Sequence, residues 1–251
     1  MKRRVLLHVV YALAGVALLL VAWEIAFRLV ANDSVVPSTG DCLKKAWGLL
    51  GKNRFWQYFG STLKRVFLAF VISFFGAGVL AVFAYLAPVF GRILSPLISV
   101  LRSLPVLAVT LIFWLMFGRE DTPIAVAFLS LFPMLYAGFS SALAGVDREL
   151  IVMSKVYNVP LGKRITALYL PSVTPYVVRE GGAALSFALK LVVSAEVLAG
   201  TYKSVGYLMQ DAKMALDMPL LFALVCVSAA AGLLLEYAAY GVVRLLERRL
   251  K

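Results

Sequence analysis

Ionisable side chains lie inside otherwise apolar stretches of the sequence, and four of them are the first candidates for chemistry. They are Glu24, Lys190, Glu196 and Glu236. A charge within a membrane is costly and usually pairs with another group or faces a water-filled cavity, so such residues indicate a route for a solute or ion. Glu24 and Glu236 lie near the ends of their stretches and can reach the membrane surface, which favours a structural role for both.

Lys190 and Glu196 share one stretch with serines at helical spacing. At about 100° per residue, Ser186, Lys190, Ser194 and Glu196 fall within roughly half of the helix circumference. This pattern predicts a polar face that borders a translocation path. The alternative is a set of polar contacts that hold neighbouring helices together. Lys190 and Glu196 are too far apart in helical phase to face each other, so each needs another partner or water.

Residues suited to hydrolytic or metal chemistry are scarce. The chain has one histidine, His8, and two cysteines, Cys42 and Cys226, without regular spacing. It contains no paired carboxylates, metal-ligand pattern or nucleophile–base pair. It also lacks the Gly-x-x-x-x-Gly-Lys-Ser/Thr run that cradles phosphates, because Gly162-Lys163 is followed by arginine. We therefore expect no enzyme activity, cofactor or metal.

The composition indicates a membrane protein. Hydrophobic residues make up 62% of the 251 residues and charged residues only 15%, which is far more apolar than an average soluble domain. The net charge of +12 would suggest nucleic acid in a soluble protein. Here the basic residues flank apolar stretches, as they do in membrane proteins, so we expect a lipid bilayer around the chain and no nucleic acid.

We predict an all-α membrane protein with about six transmembrane helices, each near the roughly 20 residues needed to cross the hydrocarbon. The predicted spans are 9–30, 66–87, 95–117, 123–146, 174–198 and 219–243. A cleaved signal peptide is an alternative for the first span, but its long apolar stretch and poor cleavage site favour a retained helix. The Lys/Arg bias places both termini and the 149–171 loop in the cytoplasm.

The segment 37–58 is too polar to cross a membrane. Apolar residues alternate there with lysines and glycines, which predicts a short amphipathic helix at the outer interface. Trp47, Trp56 and Tyr58 would lie at the depth of the lipid headgroups. We divide the chain into residues 1–60, with the first span and this segment, and residues 61–251, a five-helix core.

A polar interruption at 147–171, here called the helical loop, is predicted to form two short helices. Asp147 suits the N-cap of the first helix, over 149–157, and Glu149 suits its first turn. Asn158 tolerates the left-handed backbone that the turn requires. Pro160 suits the opening of the second helix, over 161–169, which Leu170-Pro171 would end.

The helical loop carries basic and apolar side chains suited to docking. Lys155, Lys163 and Arg164 are basic, and Tyr157, Val159 and Leu161 would form an apolar tip. An ordinary connection between two spans is the alternative, although such connections are usually shorter.

The helical loop resembles the "EAA" loop of permease subunits from binding-protein-dependent ABC importers. Counted back from Leu170-Pro171, the Glu-Ala-Ala positions fall on Val152, Met153 and Ser154, and the glycine position falls on Asn158. The spacing, the turn and Leu-Pro are kept, while the named residues are replaced.

Other segments, in order along the chain, resemble the nitrate/sulfonate/taurine-type branch of this family. They are Pro37 with the amphipathic stretch that follows it, Ser61-Thr-Leu-Lys-Arg-Val-Phe-Leu-Ala-Phe70, Leu101-Arg-Ser-Leu-Pro105 with Leu115-Met-Phe-Gly118, Ala195-Glu-Val-Leu-Ala-Gly200 and Ser204-Val-Gly-Tyr-Leu208.

The resemblance implies the type I importer fold and an inner-membrane permease that works as a homodimer. Its partners would be two cytoplasmic ABC ATPase subunits and an extracytoplasmic substrate-binding protein. The substrate would be a small anion such as a sulfonate, taurine or nitrate, or alternatively a vitamin or vitamin precursor. The coupling residues would be Glu149, Lys155, Tyr157, Asn158, Val159, Pro160, Leu161, Gly162 and Pro171.

Two other functions remain possible from the sequence. A stand-alone secondary transporter would show an internal repeat, and residues 1–125 and 126–251 show no convincing one. A membrane scaffold without transport activity would leave the polar face around Lys190 unexplained.

Overall fold

The computed structural model describes residues 2–30, 32 and 35–250, and every regular element among these residues is helical. The helices are α1 Lys2–Val30, α2 Thr39–Leu50, α3 Asn53–Leu86, α4 Pro88–Ser103, α5 Val106–Ala144, α6 Arg148–Val156, α7 Leu161–Arg164, α8 Leu170–Ala199, α9 Val205–Met214 and α10 Met218–Leu250. A π-helical turn, Ile165–Tyr169, joins α7 to α8. The predicted all-α fold is confirmed.

Four helices within the described part of the chain are long and apolar enough to cross a membrane. They are Asn53–Leu86, Val106–Ala144, Leu161–Ala199 and Met218–Gly241. The first predicted span, 9–30, lies within the single helix α1. The prediction for the two termini concerns residues 1 and 251, which lie outside the described residues, and the cytoplasmic location of both ends stays a prediction.

The third predicted span, 95–117, is wrong as a single helix. α4 ends at Ser103, Leu104 has the extended backbone (ψ 130°) that a following proline favours, and α5 begins after Pro105. α5 comprises two helical segments joined at Gly118, whose backbone (φ 76°, ψ −178°) is not helical, so a kink follows directly after the predicted end of that span at residue 117. Only glycine adopts this backbone readily.

The amphipathic helix predicted in 37–58 is present, but it is shorter. α2 begins after Ser38, whose Oγ accepts a hydrogen bond from the Asp41 backbone N–H at 3.1 Å, and it exposes Leu43 and Trp47. The assignment of Trp56 and Tyr58 to this helix is wrong, because both lie in α3. The second span therefore begins well before residue 66.

The chain forms two compact units. The first comprises Met1–Gln57 and Leu208–Val227. Within it the Trp23 ring packs on Phe222 with 5.4 Å between centroids, and Trp23 Nε1 donates to the Pro37 carbonyl at 3.0 Å. Lys45 forms an ion pair with Asp217. Burial acts to raise the pKa of Asp217, but hydrogen bonds from Lys45 and the Leu220 N–H outweigh it and lower that pKa.

The second unit comprises Tyr58–Tyr207 and Ser228–Lys251. α5 and α8 pack against each other along this unit. Its core includes Val126 and Leu131 from α5 and Leu189 and Val192 from α8, all almost fully buried. Every residue that the sequence marks for coupling or translocation lies in this second unit, so the site can be described within it alone.

Candidate functional site

The helical loop has the local geometry that the sequence predicts. The Asp147 carboxylate accepts a hydrogen bond from the Glu149 N–H at 2.8 Å and caps α6. Asn158 has φ 51°, a left-handed backbone, and the Val159 N–H closes the turn on the Ser154 carbonyl at 2.9 Å. Pro160 then occupies the N-cap of α7. The turn is thus fixed by the ring of Pro160 and by the hydrogen bond from Val159 to Ser154.

Arg164 has a different role from the one that the sequence suggests. Its Nη2 donates to the carbonyls of Val159 at 3.1 Å and Ser154 at 3.5 Å, and its side chain is half-buried. The prediction that Arg164 adds to the basic surface is therefore wrong. The Arg164 side chain on α7 thus links this helix to the end of α6 and to the turn by hydrogen bonds. Lys155 and Lys163 remain exposed.

The predicted end of the second helix at Leu170-Pro171 is also wrong. α7 passes through the π-helical turn Ile165–Tyr169 directly into α8, and the Leu170 N–H bonds to the Ile165 carbonyl, five residues earlier. Proline has no N–H and its ring crowds the preceding turn. The wider π turn accommodates Pro171 without a break, so α7, the π turn and α8 form one continuous helix, Leu161–Ala199.

The tip of the helical loop exposes large apolar side chains. Tyr157 is 75% exposed and Leu161 is 70% exposed, and both flank the turn at Asn158. Val159, the third predicted tip residue, is half-buried. Glu149, Gly162 and Pro171 are exposed as well. An apolar tip beside two exposed lysines is a surface suited to contact with another protein.

The four candidate path residues on α8 divide between two faces. Lys190 and Ser194 are exposed, whereas Ser186 is buried and Glu196 is fully buried at 0% exposure. Lys190 has no hydrogen bond or ion pair with any part of the chain that the structure describes. The two exposed residues therefore form what is here called the outward face of α8, the face turned away from the rest of the second unit.

Glu196 is the centre of a buried polar network that joins α3, α8 and the start of α9. Its carboxylate accepts hydrogen bonds from Thr62 Oγ1 at 3.0 Å, Arg65 Nη1 at 3.3 Å and the Gly206 N–H at 3.3 Å. The Arg65 side chain is only 13% exposed. These hydrogen bonds compensate the free-energy cost of burying the Glu196 carboxylate. They also supply the partners that the sequence pattern did not identify for Glu196.

The same arginine extends the network to α5. Arg65 Nη2 lies 2.7 Å from Glu120 Oε2, and Glu120 Oε1 accepts a hydrogen bond from the Tyr202 N–H at 3.2 Å. Thr201 Oγ1 donates to the Arg119 carbonyl at 2.7 Å, one residue after the Gly118 kink. Charge-assisted hydrogen bonds thus join α3 and α5 to the C-terminal end of α8, at the opposite end of that helix from the helical loop.

Gly206 is required where α9 passes over Glu196. A Cβ at this position would lie 2.4 Å from Glu196 Cβ and 2.6 Å from the Val197 backbone nitrogen. We expect Gly206→Ala to destabilise the protein by about 1–3 kcal/mol, the usual range for overpacking, measured by thermal unfolding in detergent. Gly60→Ala is the matched control because its Cβ meets no atom within 4 Å. Equal unfolding temperatures for the two variants would contradict this close approach.

Comparisons with known proteins agree with this geometry. Residues 74–251 match a family described as the inner membrane component of binding-protein-dependent transport systems. The chain is 27% identical to a putative aliphatic sulfonates transport permease protein SsuC of Bacillus subtilis, over 93% of this chain and 84% of the relative. It is 28% identical to the taurine transport system permease protein TauC of Escherichia coli, over 93% and 85%.

Solved structures share the fold. The chain resembles the inward-facing MetNI methionine ABC transporter with a TM-score of 0.60 and 17% identity, over 76% of this chain and 93% of that one. It also resembles an amino acid ABC transporter, with a TM-score of 0.55 and 15% identity.

Proposed function

The chain belongs to the family of inner membrane components of binding-protein-dependent transport systems, and from this premise we propose what it carries and how it is driven. It is a multi-pass inner membrane protein and the permease subunit of an ABC importer, and it is not a catalytic enzyme. ATP hydrolysis therefore takes place on separate ATPase subunits, and an extracytoplasmic binding protein delivers the solute.

The helical loop is the docking point for the ATPase in this proposal. Its exposed apolar tip at Tyr157 and Leu161 would bury apolar surface in a cleft, and Lys155 and Lys163 would pair with acidic groups at the rim. The turn is stiff, and α7 runs through the π turn into α8 without a break. A displacement of the tip would accordingly be transmitted along α8 to the membrane.

The outward face of α8 lines the translocation path, and Lys190 is the observation that supports this assignment. An exposed lysine within a membrane-spanning helix would cost up to about 2.5–3.5 kcal/mol if it faced lipid. This cost disappears if Lys190 and Ser194 face a water-filled path that a second copy of the chain closes. We therefore propose a homodimer with α8 at the interface, while Ser186 and Glu196 support the path from within the protomer.

The solute that best fits this face is a small organic sulfonate or a similar oxyanion. The ammonium of Lys190 attracts an anion, and the hydroxyl of Ser194, one helical turn further along, can donate a hydrogen bond to it. Two relatives of the chain are named for aliphatic sulfonates and taurine, which supports the same substrate class.

Copurification and uptake together test this function. Affinity purification from native membranes is expected to recover an ATPase subunit, and vesicles that contain the complex and its binding protein are expected to take up taurine or a short alkanesulfonate only with ATP. Failure to recover an ATPase, with ATP-independent uptake by the chain alone, would overturn the importer assignment. Uptake of a vitamin precursor in place of both sulfonates would overturn only the substrate class.

A further inference from the structure

The outward face of α8 carries a second exposed cation, Arg179. Arg179 and Lys190 are eleven residues apart, so they differ by only about 20° in helical phase and by about 16 Å along the axis. Both side chains are exposed, and both lie in the span Leu161–Ala199. The two cations are therefore aligned along one face of a membrane-spanning helix.

Arg179 packs on a tyrosine ring and forms a long ion pair with the neighbouring glutamate. Its guanidinium lies 5.6 Å from the centroid of the Tyr176 ring, a cation–π distance. The carboxylate of Glu180 is 3.6 Å away, longer than a charge-assisted hydrogen bond, and the Arg179 side chain remains 64% exposed. Its planar donor groups remain available to an oxyanion, which they can bind in bidentate fashion.

Between the two cations this face presents two apolar residues, and the one charged side chain in the interval, the half-buried Glu180, pairs with Arg179. Ala183 lies one helical turn after Arg179 on the same face, and Phe187 is the next exposed residue before Lys190. A small anion cannot contact both cations at once, because about 16 Å exceeds its size. The arrangement instead offers two successive anion sites along one path.

We propose that Arg179 and Lys190 form a two-step relay for a small oxyanion along the outward face of α8. This inference rests on the proposed function, in which that face lines the path for an anion, and it adds a second binding residue and the order of the two sites along the helix. Each cation attracts the anion, and neither binds it so tightly that it cannot move to the next site. A neutral or cationic solute gains nothing from this face.

A cysteine placed between the two cations reports the charge of the path directly. The experiment uses the intact complex with its ATPase and binding protein in low salt, with Ala183→Cys as the reporter and Cys42→Ala and Cys226→Ala as background. The probes are the anionic 2-sulfonatoethyl and the cationic 2-(trimethylammonium)ethyl methanethiosulfonates. The ratio of their rates is used because a change in the thiolate fraction affects both rates equally.

We expect the anionic probe to react about tenfold faster than the cationic one, relative to the same ratio for a free thiol, since a cationic cleft raises the local anion concentration. Arg179→Gln and Lys190→Gln should each lower this ratio at least threefold, while Arg92→Gln, an exposed arginine on α4, should leave it unchanged. In the reporter protein that keeps both Arg179 and Lys190, raising the ionic strength should lower the ratio of the two rates. This measurement does not depend on substituting either cation.

Two results would overturn the relay in distinguishable ways. A ratio equal to that of a free thiol, insensitive to salt and to both substitutions, would show an accessible face without anion preference, and the permease assignment would stand. If neither probe reaches Ala183→Cys while both label Lys44→Cys, an exposed position on α2 outside the docking surface, in a complex that still takes up solute, the path does not follow α8, and the site in the proposed function is wrong as well.

Discussion

Arg65→Ala is expected to destabilise the protein by about 3–5 kcal/mol, the usual cost of removing one partner of a buried ion pair. The substitution leaves the fully buried Glu196 carboxylate with only Thr62 and the Gly206 N–H as donors. It also removes the bond from Arg65 to Glu120 that ties α5 to this network. Thermal or denaturant unfolding of the detergent-solubilised protein measures the effect.

Two further variants separate the buried charge from a general loss of an arginine. Arg119→Ala removes an exposed arginine at the same end of the unit and should change stability by less than about 0.5 kcal/mol. The double variant Arg65→Met, Glu196→Gln leaves no unpaired buried charge and should recover part of the loss. If Arg65→Ala were no more destabilising than Arg119→Ala, the network would contribute nothing to the fold.

Replacing Asn158-Val159-Pro160 with Gly-Ser-Gly is expected to abolish ATP-driven uptake while membrane insertion continues. The native turn is stiff because Asn158 holds a left-handed backbone and Pro160 fixes the start of α7. The flexible replacement frees the backbone at all three positions. It therefore uncouples the motion of the exposed tip from α7 and α8. Uptake of taurine by the intact complex and the amount of membrane-inserted chain are the two measurements.

Asn158→Gly is the matched control for the loop replacement. Glycine adopts a positive φ at no steric cost, so this variant keeps the turn and should retain most of the uptake. If the Gly-Ser-Gly variant also transported normally, coupling would have to occur elsewhere in the chain.

Local chemistry explains which parts of the helical loop could be predicted from the sequence. The Asp147 cap, the left-handed Asn158 and the position of Pro160 depend only on neighbouring residues, and all three are confirmed. The hydrogen bonds from Arg164 and the passage through Pro171 depend on how two helices meet and on the width of one turn. No spacing of residue types in the sequence indicates either.

The polar face of α8 shows the same limit. Helical periodicity places Ser186, Lys190, Ser194 and Glu196 on one broad arc, but it does not indicate which part of the arc is covered by neighbouring helices. Packing against the rest of the second unit buries Ser186 and Glu196 and leaves Lys190 exposed. The partner of Glu196, Arg65, is more than a hundred residues away in the sequence, and only the fold brings the two together.

The π-helical turn Ile165–Tyr169 also lets this helix carry one residue more than an α-helix with the same rotation. Its i→i+5 hydrogen bond spreads five residues over the arc that four residues cover in an α-helix, so the extra residue is absorbed within the turn. Deleting one residue of the π turn should therefore leave Arg179 and Lys190 on nearly the same face relative to α7, whereas deleting one residue from the α-helical part between the turn and Arg179 would rotate both by about 100°. The π turn is thus a place where the helix can change in length without turning the path face away from the docking tip.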